Sequence, residues 1–181
     1  TSQERLDPAH TLGRRQRAAK PARLELAPRA RGRDAAQRRS AMAVELARHA
    51  FELASGWTAT DAAGAPAVVV FCNRVDTARR VCNLLNKDGA CAHLLTGRMR
   101  PLDKDDVIAG ALAPLATGRA AERRLEQPTF VVATQTLEVG ADLDFDLLVT
   151  ECASLDALRQ RFGRLNRSGR AIAARAVIVT A

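Results

Sequence analysis

Short, unbroken apolar runs separated by helical stretches leave this chain few folds to adopt. Five such runs, Ala67–Cys72, Cys91–Leu95, Thr129–Ala133, Leu147–Thr150 and Ala176–Thr180, are made mostly of β-branched residues or Leu. A strand without alternation of apolar and polar residues is buried on both faces, as parallel strands covered by helices are. Between the runs, Asp76–Asn86, Leu102–Leu115 and Leu155–Phe162 have helical composition. Strand and helix in alternation predict an α/β domain of three layers, with a parallel sheet between helices. Upstream, Met42, Val44, Leu46, Phe51 and Leu53 fall among good helix formers and predict an amphipathic helix over Ala35–Ala54. Residues 55–66 read as a loop. Residues 1–34 are rich in Arg, Ala and Pro, and only Arg23-Leu24-Glu25-Leu26 alternates as a short strand would. We read 1–34 as a basic extension and linker, 35–181 as the domain, and 65–181 as its core.

The net charge of +8 is spread unevenly. Residues 1–40 hold eleven Lys or Arg against four Asp or Glu, and the remainder is close to neutral. A basic arm on a neutral body suits contact with a polyanion, although a solvated linker has the same composition. Aromatic residues make up only 3% of the chain, which excludes a surface that reads bases by stacking them on a row of rings. Cys72, Cys82, Cys91 and Cys152 form no Cys-x-x-Cys pair and no ligand spacing with His10, His49 or His93, so no metal site is expected. Cysteines in or beside apolar runs act as small hydrophobes when reduced, which suits the cytoplasm. No apolar run approaches the roughly 20 residues of a membrane span, and residues 1–30 lack the order of a signal peptide. The chain opens on Thr1 rather than Met, which suggests an internal piece of a longer protein.

In an open α/β sheet, ligands bind beyond the carboxyl ends of the strands. Asn73-Arg74, Thr96-Gly97-Arg98, Thr134-Gln135 and Glu151 follow the first four runs. One polar loop would mean little, whereas four in register predict a binding edge. Residues 160–170 carry Arg161, Arg164, Arg167 and Arg170 at every third position. Guanidiniums crowded in this way repel unless an anion or carboxylates neutralise them. Gly163 would let the backbone approach a neighbour, and Gly169 would suit the turn past the helix end. In residues 131–146, an apolar run ends in the hydroxyls of Thr134 and Thr136, then a turn at Gly140, then Asp142. That carboxylate can bond a ribose hydroxyl or a water near a metal, though an ordinary acidic loop would look alike.

Together these segments resemble, in order and spacing, the motifs of superfamily 2 helicases. Residues 160–167, Gln-Arg-x-Gly-Arg-x-x-Arg, look like motif VI. Thr134 to Asp142 resembles motif V, Val70 to Arg74 motif IV, and Thr96 to Arg98 motif IVa, over about residues 65–181. Gln160, where DEAD-box proteins have His, points to the DExH-like branch. Asp142-Leu143-Asp144-Phe145-Asp146 and residues 95–103 resemble the signature helicase–nuclease of type I CRISPR interference.

The resemblance implies a RecA-like C-terminal motor lobe, with residues 1–34 as an interlobe segment. It implies Arg164 and Arg167 as catalytic arginine fingers that reach ATP, held with Mg mainly by a first lobe of the same polypeptide. It implies Gly140, Asp142 and Gln160 as further nucleotide contacts. Asn73, Arg74, Thr96, Gly97, Arg98, Thr134 and Gln135 would contact single-stranded DNA, and a CRISPR surveillance complex would be the partner. Arg161 is expected as a structural ion-pair partner. Val139 departs from the DEAD-box pattern, which has Arg there, so that role does not transfer. No Lys of this chain closes a phosphate-cradling Gly-rich loop, so it carries half an active site and should lack ATPase activity alone. A non-enzymatic interaction module on the same lobe, or a repair or RNA helicase, would share these residues.

Overall fold

Apolar strands of five residues need cover on both sides, and the chain supplies it from different kinds of element. The computed structural model describes residues 7, 10–32, 34–58, 64–120, 122–137 and 142–181. Its strands are β1 (Ala22–Leu26), β2 (Ala67–Phe71), β3 (Cys91–Leu95), β4 (Thr129–Ala133), β5 (Leu147–Glu151) and β6 (Arg175–Thr180). They form one sheet in the order β1-β6-β5-β2-β4-β3, and every pairing is parallel. The helices are α1 (Thr11–Arg17), α2 (Ala35–Ser55), α3 (Val75–Lys87), α4 (Pro101–Ala109) and α5 (Leu155–Phe162).

One face of the sheet presents Val68, Val70, Phe130, Val132, Val149 and Val177 to α2 and α3, which bury Leu46, Leu53, Val81 and Leu85 there. Each such side chain contributes about 1.5–3 kcal/mol when fully buried. The Asp34 side chain starts α2 by accepting the Ala36 N–H at 2.8 Å, a cap worth about 1 kcal/mol. The opposite face, with Val69, Phe71, Val131 and Leu148, is packed mainly by turns and loops that deliver Leu112, Leu115, Leu137, Leu143, Phe145 and Leu165. On this side α4 buries no residue, and Arg161 is the one buried residue of α5.

Two sequence readings change here. The helix expected over Leu102–Leu115 stops at Ala109, where Gly110 donates its N–H to the Asp106 carbonyl and the chain turns into a 3-10 segment at Ala113–Leu115. Part of the segment read as a linker is the sheet's edge: β1 pairs with β6 from Ala22↔Ala176 to Leu26↔Thr180. Its outer position leaves most of it exposed, so the run lacks the continuous apolar character of the inner strands. No helix among the described residues is long and apolar enough to cross a membrane.

Candidate functional site

The parallel sheet sorts the candidate residues onto two opposite edges. At the carboxyl ends of neighbouring strands lie Glu151 (β5), Asn73 and Arg74 (β2), Thr134 and Gln135 (β4), and Thr96, Gly97 and Arg98 (β3). Asn73, Arg74, Gly97, Arg98 and Gln135 are exposed, whereas Thr96 and Thr134 lie beneath them at 2% and 7% exposure. The Asn73 backbone N–H donates to the Glu151 carboxylate, and its side-chain amide donates to the Cys152 carbonyl at 2.9 Å. Burial raises the Glu151 pKa above its ordinary value, against the opposing pull of the Asn73 N–H and the charges of Arg161 and Arg74.

Arg161 ties this edge together. At 1% exposure it donates to Thr150 Oγ1 at 2.8 Å, the Glu151 carbonyl at 3.0 Å and Asn73 Oδ1 at 3.0 Å. Its guanidinium also sits 5.5 Å from the centre of the Phe71 ring. These hydrogen bonds and the ring face hold Arg161 within the fold, beside Glu151, whose pKa its charge acts to lower.

At the amino ends of β2 and β5, the segment 142–146 builds a second cluster. Leu143 and Phe145 enter the core at 1% and 0% exposure. Phe145 donates its N–H to the Arg164 carbonyl at 3.0 Å and accepts that of Asn166 at 2.7 Å, which fixes the turn after α5 against the sheet. Asp144, with no exposed surface, accepts the backbone N–H groups of Arg167 at 2.9 Å and Ser168 at 3.1 Å. Asp146 accepts the Ala67 N–H at 2.8 Å and pairs with Arg123 at 2.7 Å and Arg170 at 2.6 Å. Arg170 also reaches Asp144 at 3.4 Å. The carboxylates that a row of arginines requires are thus supplied from within the fold.

Arg164 and Arg167 emerge from this frame. Arg167 Nε donates to Asp142 at 2.7 Å, and the Thr117 hydroxyl donates to the same carboxylate at 2.9 Å. Burial acts to raise the Asp142 pKa, yet the Thr117 hydrogen bond and the charges of Arg167 and Arg164 hold it below the ordinary carboxylate value. Burial and the charge of Arg167 lower the pKa of Arg164, and Asp142 opposes them. These three groups feel one another's charge, as a shared site requires. Lys20, just ahead of β1, donates to the Phe162 carbonyl at the end of α5 at 2.9 Å.

Two expectations for the glycines part company. Gly169, at φ +67, turns the chain where α1 crosses, and a Cβ there would lie 2.6 Å from the Arg14 carbonyl carbon. Gly163 does not admit a neighbour: it adopts right-handed helical geometry as the cap of α5, and a Cβ would meet the helix's own Gln160 carbonyl at 3.0 Å. Gln160 is exposed near the C-terminal end of α5. Gly140 lies outside the described residues. Lys20, Thr117 and Arg123 reach the cluster from remote segments, and no local motif marks them in the sequence. Asp144 and Asp146 had a signal, since acidic residues at alternate positions around Leu143 and Phe145 face a row of arginines.

The family model described as "CRISPR-associated nuclease/helicase Cas3, C-terminal" matches residues 65–170, more than half of the chain. The chain belongs to this Cas3 family. It is 36% identical over 108 residues to the CRISPR-associated helicase Cas3 of Thermoproteus tenax, which covers 59% of this chain and 17% of that protein. The fold is similar to that of T. fusca Cas3 in its ADP crystal structure, with a TM-score of 0.68 and 23% identity, over 90% of this chain and 18% of that one. A chain of a pre-nicking CRISPR RNA-guided surveillance complex is similar with a TM-score of 0.62 and 23% identity, over 89% of this chain and 19% of that one. The chain spans less than a fifth of the length of the curated Cas3 relatives it matches. The six-stranded parallel sheet is thus a RecA-like Cas3 C-terminal helicase lobe.

Proposed function

We propose that this lobe is the second half of an ATP-driven DNA motor that works in CRISPR interference. Its amino-edge cluster meets ATP and its carboxyl edge holds single-stranded DNA. The observation that carries the reading is the seating of the arginine turn. Asp144, fully buried, accepts the N–H groups of Arg167 and Ser168, while Phe145 accepts that of Asn166. Arg164 and Arg167 are therefore presented from a backbone that need not reorganise, the condition under which fixed positive charge stabilises developing negative charge. ATP with its magnesium, bound mainly by a first lobe, supplies the transferable phosphoryl group. The residues here fit the anionic end of such a ligand, because two guanidiniums, Arg164 and Arg167, lie within each other's field beside an exposed carboxylate, Asp142.

On the opposite edge, Arg74, Arg98, Asn73, Gln135 and Gly97 form the exposed layer that would meet a phosphodiester backbone, with Thr96 and Thr134 beneath. The separation of the two edges by the length of the strands fits a motor in which nucleotide and strand are sensed at once. The Cas3 family membership supports a first lobe in the same polypeptide and a CRISPR surveillance complex as the partner. Four free cysteines, with Cys72 and Cys82 buried, suit a cytoplasmic protein.

The test uses a protein that carries both lobes. Arg164→Ala or Arg167→Ala should lower single-turnover ATP hydrolysis on the order of 10²-fold or more, with single-stranded DNA affinity nearly unchanged. Lys in place of either Arg should restore little, because a point charge does not reproduce the planar fork. Near-normal hydrolysis by a well-folded variant would remove the finger assignment.

A further inference from the structure

The turn that carries Arg167 and Ser168 also forms one wall of a cleft of about 940 Å³ whose other wall is α1. Arg14, Arg15 and Arg17 line it from the helix side, and Thr117, Ser168 and Arg170 from the other. Arg164, Arg167 and Asp142 do not line it, so this is a different space from the one proposed for ATP. No Asp or Glu lines it either. Arg170 is already balanced, since it and Arg123 face Asp144 and Asp146. The uncompensated charge belongs to Arg14 and Arg15. Among the described residues, neither Arg14 nor Arg15 has a carboxylate within ion-pair reach, and the Nε of Arg15 is shut off from solvent without an acceptor. Nor is the wall of arginines loosely placed, because α1 sits directly on Gly169, which has no side chain to hold it off.

We propose that this cleft is an anion site that takes a phosphate group, with Arg14 and Arg15 as its principal donors. Guanidiniums match phosphate oxygens in pairs of parallel hydrogen bonds. Two sources carry that chemistry: a phosphodiester of a nucleic-acid strand, and free phosphate or the tail of a nucleotide. Either would bear on the turn that carries Arg167 without touching the arginine side chain itself.

Calorimetric titration of this chain with pyrophosphate, and separately with an oligo(dT) strand, tests the site. The decisive variant is Gly118→Asp. Gly118 lines the cleft, and a Cβ there meets nothing within 4 Å, so a side chain can begin there without strain and bring a negative charge to the cleft. Affinity for at least one probe should fall about ten-fold or more in Gly118→Asp, and likewise in Arg14→Gln and Arg15→Gln. Arg79→Gln, on the exposed side of α3, should change nothing. Loss confined to pyrophosphate assigns free phosphate as the source. Loss for oligo(dT), with the log–log salt slope reduced by about 0.7 for each contact removed, assigns the strand. If the arginine variants fail to fold, Gly118→Asp still decides. Unchanged affinity for both probes in folded Gly118→Asp overturns the site, and leaves the roles of Arg164 and Arg167 untouched.

Discussion

Replacing Asp144 by Asn changes the chemistry of one buried group and almost none of its volume. The carboxylate has no exposed surface, accepts the N–H groups of Arg167 and Ser168, and lies 3.4 Å from Arg170. Asn keeps one acceptor oxygen, so one of the two N–H groups loses its partner and faces an amide that also donates. An unmet buried donor costs about 1–3 kcal/mol, and removing one partner of a buried ion pair costs about 3–5 kcal/mol when nothing replaces it. Arg170 keeps Asp146 at 2.6 Å, which argues for the lower part of that range, and we expect a loss of about 2–4 kcal/mol. For a domain of this size, 1 kcal/mol moves Tm by about 2–4 °C, so Tm should fall roughly 5–15 °C in a calorimetric melt. Asp142→Asn is the control. It breaks an ion pair whose carboxylate is 68% exposed, and pairs of that kind are worth about 0–1 kcal/mol. If the two variants melt together, within about 2 °C of the unchanged chain, the account of Asp144 as the seat of the arginine turn is wrong.

Gly169→Ala should lower Tm by several degrees and speed trypsin cleavage after Arg14, Arg15 and Arg17, because a Cβ strains a left-handed position and pushes α1 off the turn; unaltered cleavage would count against that contact. Glu151 has a raised pKa in the folded protein, so above the ordinary value of 4.5 its carboxyl holds a proton in the folded state that the unfolded state releases. Stability relative to Glu151→Gln should therefore fall as pH rises from about 4.5 through the elevated value and level off beyond it, and parallel Tm-against-pH curves for the two proteins would refute this. The chain alone should show no DNA-stimulated ATP hydrolysis in a phosphate-release assay, since no Gly-rich phosphate loop is present; robust turnover by contaminant-free material would contradict the half-site reading.

The inner sheet was legible in the sequence because burial on both faces writes itself as an unbroken apolar run. β2, β3, β4 and β5 fall within a residue of their expected ends, and β6 begins one residue early at Arg175. β1 showed only as the alternation of Arg23-Leu24-Glu25-Leu26, since an edge strand with one wet face needs few apolar residues and a linker can alternate by chance. α1 was missed for another reason. Seven residues carrying three arginines have no helical stripe of their own, and what organises them is contact with Gly169, more than 150 positions away. The site divides in the same way. Asp142, Arg164 and Arg167 belong to contiguous motifs and could be named together. Lys20, Thr117 and Arg123 contribute through tertiary approach alone, and only the spacing of Asp144 and Asp146 hinted at partners for the arginines.

The pairing of β1 with β6 also has a mechanical meaning. The two strands are parallel, hydrogen-bonded from Ala22↔Ala176 to Leu26↔Thr180, and the Ala176 N–H is already bonded to the Pro21 carbonyl. A pull along the chain that enters at α1 loads these bonds in shear, all at once, rather than peeling them one by one. β6 begins directly after the turn that holds Arg167 and Arg170, and Lys20 grips the end of α5 just ahead of it. Tension arriving from upstream would therefore be delivered to the arginine turn before it reached the rest of the sheet, which makes the N-terminal segment a tether with a stiff anchorage at the place where the phosphoryl group would be sensed.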